Sequence, residues 1–570
     1  MKPLILHSFL IFLLVLFLGH TVSIAQNVSI PDANFKAVLV ADTRINTNGD
    51  GEIQVSEATA FKDTIFADNK SIYKLTGLEA FVNLKGLHCS GNGLAYMSFA
   101  ANTALESLFC NSNRSILDFS ANKALIKIDC SNNNIRTLDL SGHTALKSLN
   151  CSINVLNTLI LPANSSLDYL DCSYNNIKTL DASVHSSLRW LNCNRNHLES
   201  LNILGLSALK HLEGTQNYLT ILDVKTNTSL EYLNCEFNYL QMLDVSANKG
   251  LTYLQCDQNH LTELNISGIT TLEYLDCYTN GLTILDVTAN KSLKILSCGY
   301  NRLSSMDVTS QTLLEELYCG NNQLTDLNVS SNTKLALLAC NDNQLSSLDI
   351  SANTALTGLY CSMNQIPVLN ISSNILLTNL QCENNQLTAL DVSANTQLKE
   401  LFCNSNQLTH LDVSACKALY YFWCKDNQLT SLNLKNDSDL PLKNWKFTAT
   451  NNPGLTCVQV NDASYFTLYR SYAIDSGARY SETCTVGTID NLAQAATSLF
   501  PNPSNGIFTL TGLPAEQINL EVFSMTGEKV YAVTSRETSH RIDISGCAKG
   551  IYFVNLSNGK EAFTRKVEIR

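Results

Sequence analysis

A cysteine recurs every 21 residues through most of this chain, and an asparagine always follows three residues later. The column runs from Cys89, Cys110 and Cys130 to Cys424, with one step of 20 and with Gly214 standing in once. Its companion runs from Asn92 to Asn427 and has no exception in seventeen copies. A typical copy, Leu272–Asn290, reads LxxLxCxxNxLxxLDVxxN. A unit this short cannot bury its own leucines, so the copies must stack into a solenoid with one continuous core. Leu272, Leu275, Cys277, Leu282, Leu285 and Val287 are expected to point inward. With strands about 4.8 Å apart, the array would be roughly 80 Å long.

The asparagine amide is expected to satisfy backbone groups at a tight turn, forming a ladder along the array. The chain has 20 cysteines, and sixteen fall in the inward column, where a thiol behaves as a small apolar group. Neighbouring Cβ atoms about 4.8 Å apart exceed the roughly 3.5–4.5 Å a disulfide prefers, so these thiols should be free. Cys416 occupies a second asparagine column, and Cys547 has no evident partner. The short step falls between Asn113 and Leu117, where a local irregularity is expected.

This repeat resembles the leucine-rich repeat, most closely the short bacterial subclass with two LxxLxLxxN halves in one 21-residue unit. The resemblance covers about residues 84–440. The expected fold is a β-rich leucine-rich-repeat solenoid with a helical N-terminal cap, followed by a small antiparallel β-sandwich.

The ends indicate export. Met1-Lys2, an apolar run from Leu4 to Leu18 and Ser23-Ile24-Ala25 read as a signal peptide over 1–25. The run is shorter than the roughly 20 residues that span a bilayer, and no second one occurs, so no transmembrane segment is expected in the mature protein. Residues 441–485 form a C-terminal cap, in which Cys457 and Cys484 can close a disulfide over the last coil. A linker, 486–497, leads to 498–570. There Ile518–Phe523, Arg541–Ile544 and Gly550–Leu556 alternate between turn signals. With Pro501-Asn502-Pro503 at its start and Lys566-Val567 near its end, this segment resembles the type IX secretion C-terminal sorting domain. The resemblance implies contact with that machinery, removal of the tail, and a secreted or surface-attached product.

Residues 26–83 hold the cap and a degenerate first coil. Ala33–Ala41 reads as a short helix, and Asn46–Glu57 matches an EF-hand-type calcium loop. Asn46, Asn48, Asp50, Glu52, Gln54 and Glu57 stand at the ligand positions, with Gly51 at the sharp turn. With Asn46 in place of Asp, calcium binding would be weak, and the other reading is a structural capping turn without metal.

On the strand face, Tyr169, Trp190, His211, Tyr232, Tyr253 and Tyr274 stand three residues before the cysteine column. Tyr318, Tyr360, Phe402 and Trp423 stand one residue before it. These aromatics are the candidate site for a protein or glycan partner, or they only stiffen the sheet. An aspartate column, from Asp118 to Asp412, precedes the second-half valine; the Ser or Thr two residues later can hydrogen-bond to it. The net charge of −12, without basic clusters, excludes nucleic acid. No HExxH, GxSxG, P-loop or paired CxxC occurs, so no enzyme is expected. The expected function is surface or secreted binding, as in adhesion, host interaction or an adaptor role; the alternative is a structural surface component without a ligand.

Overall fold

The computed structural model describes residues 26–163, 166–436, 446–470, 473–484, 498–513, 517–558 and 562–570. The expected signal peptide and linker lie outside them. The chain divides into two compact units, meeting in sequence at Tyr239 and Leu240.

In the first unit, helix α1 (Ala33–Ala41) and the short α2 (Val55–Ala60) form the cap. Asp32 caps α1 through Oδ1, which accepts the Asn34 and Phe35 N–H groups at 3.1 and 3.0 Å. Its Oδ2 accepts the Tyr73 and Lys74 N–H groups at 2.8 and 3.1 Å, tying the cap to the first coil. Burial would raise this carboxyl, but the four backbone donors hold it below its ordinary range. A parallel, in-register ladder then begins at Thr64–Phe66 and continues turn by turn to Tyr232–Asn234.

The second unit continues the pattern from Tyr253–Gln255 to Lys446–Thr448. Strands are three residues long because the 21-residue period leaves no more before the next turn. The middle residue of each, most often leucine, points inward. Leu272, Leu275, Cys277, Leu282 and Val287 are fully buried, and Leu285 nearly so.

Every column thiol is buried and unpaired as a disulfide. Burial pushes Cys193 and Cys340 up to about 12. The asparagine ladder works in both directions. Asn301 Nδ2 donates to the carbonyls of Cys277, Cys298 and Gly299 at 3.0, 3.1 and 3.2 Å. Its Oδ1 accepts the Leu282 N–H at 3.0 Å. The residue before each such asparagine is left-handed: φ is 54° at Ile153, 55° at Tyr174, 51° at Thr279 and 53° at Asp342. That conformation costs roughly 1 kcal/mol for a non-glycine residue, and the ladder on both sides enforces it. At the short step two left-handed residues, Ser112 and Arg114, flank Asn113. There Ser115 is buried in the place of a leucine, its N–H held by Asn133 Oδ1 at 3.0 Å.

A second asparagine column lines the other edge. Asn332 Nδ2 donates to Val308 and Gln311 carbonyls at 2.9 and 2.8 Å, but its Oδ1 is buried without a partner. Asn353, Asn374 and Asn395 repeat this arrangement.

The array closes with α3 (Ala463–Arg470) and strand Arg479–Ser481, which pairs with Cys457–Gln459. A disulfide joins Cys457 and Cys484, whose Cα atoms are 5.9 Å apart. Asp475 accepts the Asn451 and Asn452 N–H groups at 2.8 and 2.7 Å, standing where another turn's asparagine would act.

Residues 498–570 form two antiparallel sheets. One contains Ser498–Phe500, Ile507–Thr511 and Ser539–Asp543. The other contains Lys529–Ser535, Ile518–Ser524, Gly550–Ser557 and Ala562–Ile569. Phe508, Val522, Ile542, Val554 and Val567 fill the core. Asn502 brackets the final strand, donating to the Lys566 carbonyl and accepting the Glu568 N–H, both at 2.9 Å. This contact ties the Pro-Asn-Pro start to the Lys566-Val567 end.

Candidate functional site

Parallel, in-register strands bring equal positions of successive turns about 4.8 Å apart, which is a stacking distance for flat rings. In the first unit Tyr169 and Trp190 stack with centroids 4.4 Å apart and planes 7° from parallel. Trp190 and His211 follow at 5.4 Å and 12°, and His211 and Tyr232 at 4.1 Å and 8°. In the second unit Tyr253 and Tyr274 stack at 4.3 Å and 3°. All six rings are half-buried. Their neighbours cover the faces, so each file presents ring edges and polar rims outward.

Carboxylates run beside these rings. Asp171 Oδ1 accepts the Ser173 N–H at 3.0 Å and its hydroxyl at 2.7 Å, yet burial raises this carboxyl above its ordinary range. Burial, with Asp171 close by, pushes the Tyr169 phenol up to about 12. Glu213 bonds His211 Nε2 at 2.7 Å and accepts the Asn194 amide at 2.6 Å; the His211 bond holds it below its ordinary value. In the second unit Tyr253 donates to Gln255 at 2.6 Å, and burial raises Asp276.

The later aromatics are less uniform. Phe402 and Trp423 stack at 4.6 Å, and Tyr318 donates to Glu316 at 2.7 Å. The Tyr360 ring lies over Gly358, where a Cβ would come within 3.2 Å of it.

The aspartate column has the local bonds its sequence suggests. Asp286 Oδ1 accepts the Thr288 N–H at 2.9 Å and its hydroxyl at 2.6 Å, and Asp307 does the same with Thr309 at 2.9 and 2.7 Å. These bonds hold both carboxyls below their ordinary range.

In the N-terminal loop the expected ligands bond to one another and to the backbone. Glu57 Oε1 accepts the Thr47 and Asn48 N–H groups at 2.8 and 3.2 Å, and Oε2 accepts the Gln54 N–H at 3.0 Å. Asp50 accepts the Glu52 N–H at 2.9 Å and the side-chain amides of Asn48 and Gln54 at 3.0 and 2.8 Å. Asn46 Oδ1 accepts the Gly49 N–H at 3.0 Å, and Glu52 pairs with Lys36. Each of the three carboxylates, Asp50, Glu52 and Glu57, accepts at least one protein donor. No three His, Cys, Asp or Glu side chains converge as a metal site among the described residues.

One row escaped the sequence reading. On the turn after the cysteine, His197 stacks on Tyr218 at 5.5 Å, Tyr218 lies 6.1 Å from Tyr239, and Arg195 sits 4.9 Å over Tyr174. Its signal in the sequence is aromatics one residue before or after the invariant asparagine.

Residues 498–570 match the family described as a secretion system C-terminal sorting domain. Among solved structures, the chain is similar to the functional domain of InlJ from Listeria monocytogenes, which includes a cysteine ladder. That likeness has 24% identity, covers 96% of this chain and 98% of that one, and has a TM-score of 0.52. YopM from Yersinia enterocolitica is similar at 22% identity over 70% of this chain and 91% of that one, with a TM-score of 0.53. The plant peptide hormone receptor RGFR1, in complex with RGF2, is similar at 18% identity over 71% and 76%, with a TM-score of 0.57. No curated protein sequence matches the chain.

Proposed function

We propose that this leucine-rich-repeat solenoid, whose C-terminal sorting domain marks it for export to the cell surface or beyond, is a non-enzymatic recognition protein whose strand face binds a partner, in adhesion, host interaction or an adaptor role. The observation that carries this reading is the file Tyr169, Trp190, His211 and Tyr232, half-buried and flanked by Asp171 and Glu213. Aromatic rings that are partly desolvated and bordered by polar groups suit a binding surface. Because the rings cover each other's faces, a protein partner suits the file better than a sugar, which would need an open face to stack on.

The test is binding of the purified chain to extracellular-protein and glycan arrays. Trp190→Ala with Tyr232→Ala is expected to abolish a protein hit while the melting curve stays cooperative. A hit confined to glycans would reassign the ligand class. If no array yields a hit, the chain is better read as a structural surface component.

We propose that the Asn46–Glu57 loop serves as a structural turn, since its carboxylates already hold the backbone. Adding about 10 mM calcium to chelator-treated protein is then expected to leave the melting temperature unchanged. A millimolar-affinity site of the extracellular class would instead add about 1.4 kcal/mol and raise it.

A further inference from the structure

Around the left-handed turn, the chain from Ile153 to Tyr239 carries six apolar side chains, interrupted by Asn176, Arg195, His197 and Gln216, where later copies are mostly polar. Ile153, Tyr174 and Phe237 occupy the left-handed position, and Val155, Tyr218 and Tyr239 stand two residues further on. All six are 40–52% exposed. In the second unit the first of these positions holds Gln258, Asn321, Asp342 and Asn384, and the second holds glutamine from Gln323 to Gln428; Tyr300 and Met363 stand singly.

Two penalties oppose the apolar choice. A left-handed backbone suits Asn, Asp and Gly and disfavours β-branched or bulky residues. Water gives no return for exposed Ile, Tyr and Phe, and contiguous exposed apolar surface marks an interaction site. Tyr174 and Tyr218 have partners within the chain, Arg195 at 4.9 Å and His197 at 5.5 Å, yet all six side chains keep two fifths or more of their surface in water.

Charge identifies the occupant. The band contains Lys178 and Arg195 against Glu199 and Glu236, so it is locally neutral on a chain of net charge −12. Two copies repel one another over most of their surface, but here each offers an apolar face with both signs. Arg195 and Glu199 share the central turn of the band, so a two-fold axis near that turn can pair Arg195 of each copy with Glu199 of the other. We propose that this edge is the contact face of a homodimer, separate from the strand face.

Sedimentation equilibrium of the purified chain tests this. From about 0.1 to 100 µM it is expected to pass from monomer to dimer. Tyr174→Asn with Phe237→Asn should raise the dissociation constant by about 30-fold or more. Because Asn suits the left-handed turn, this variant should melt at the same temperature as the parent monomer or higher, which separates lost contact from lost fold. Arg195→Glu should weaken the dimer, and adding Glu199→Arg should restore it. A parent still monomeric at about 100 µM, or a dimer indifferent to the double substitution, overturns the proposal. Binding at the strand face should be unchanged by these substitutions.

Discussion

The two asparagine columns look alike in sequence and hold different things. On the cysteine side each asparagine donates to carbonyls of two turns and accepts an N–H from the turn before, as Asn301 does with Leu282. No copy replaces it. The other column only donates, and Oδ1 atoms such as those of Asn332 and Asn353 are buried without partners. That column accepts His143, His185, Leu206, Ile269, Gln311 and Cys416. The carbonyls it serves keep another donor: Val308 O accepts the Gln311 N–H at 3.1 Å, and Gln311 O accepts the Leu314 N–H at 3.1 Å. A buried amide is irreplaceable when it must accept as well as donate, because its loss strands an N–H inside the protein.

The largest test of this contrast is Asn301→Ala, which leaves the Leu282 N–H and a left-handed turn unsupported. A loss of about 4 kcal/mol is expected in urea denaturation. A loss below about 1 kcal/mol would erase the distinction between the columns. Asn353→Leu should cost no more than about 1.5 kcal/mol, since Leu206 already fills that place and the apolar side chain removes an orphan oxygen.

His143 sharpens the comparison through pH. Its Nε2 meets the Phe119 carbonyl at 3.1 Å, its Nδ1 is buried without a partner, and burial holds its pKa below the ordinary value. The folded form is therefore neutral at pH values where the unfolded chain takes up a proton, so stability falls as pH drops below about 6.5. His143→Asn should remove that part of the acid loss, while at pH 8 it exchanges one orphan acceptor for another and should change stability little. Melting curves at pH 5 and pH 8 check the sign: a gain no larger at pH 5 would refute it.

The smallest effect asks the same question on the strand face. Asn150 Oδ1 accepts the Ser152 N–H at 3.1 Å and its hydroxyl at 2.8 Å, as Asp171 does with Ser173. Asp171→Asn should keep those bonds and remove a carboxylate whose pKa burial has raised. It should stabilise by a few tenths of a kcal/mol at pH 7, and the gain should vanish in acid, where the parent carboxyl is already neutral.

The 21-residue period made the solenoid legible, because spacing alone sets which side chains point inward. Cys277, Leu282 and Val287 are buried as their positions require. Helix Ala33–Ala41 was legible as the short run after Pro31-Asp32, and free column thiols followed from strand spacing. The left-handed turn was not: Ile153, Tyr174 and Thr279 carry it without glycine, because tertiary hydrogen bonds impose a conformation their own preferences oppose. Nor could spacing reveal that Glu57 spends its oxygens on the backbone of its own loop, since the same residues at the same positions can face a cation.

The buried thiols make the folded state its own protection against oxidation. Desolvation keeps Cys193 and Cys340 as thiols at any physiological pH, and the thiolate is the form that attacks a disulfide. Before the coils close, the same column is a string of interchangeable nucleophiles that can pair in many wrong ways. Wherever export meets an oxidant, coil closure is therefore in a race with thiol oxidation. Closure by single short turns, with contacts mostly 21 residues apart, is the kind of local assembly that can win it.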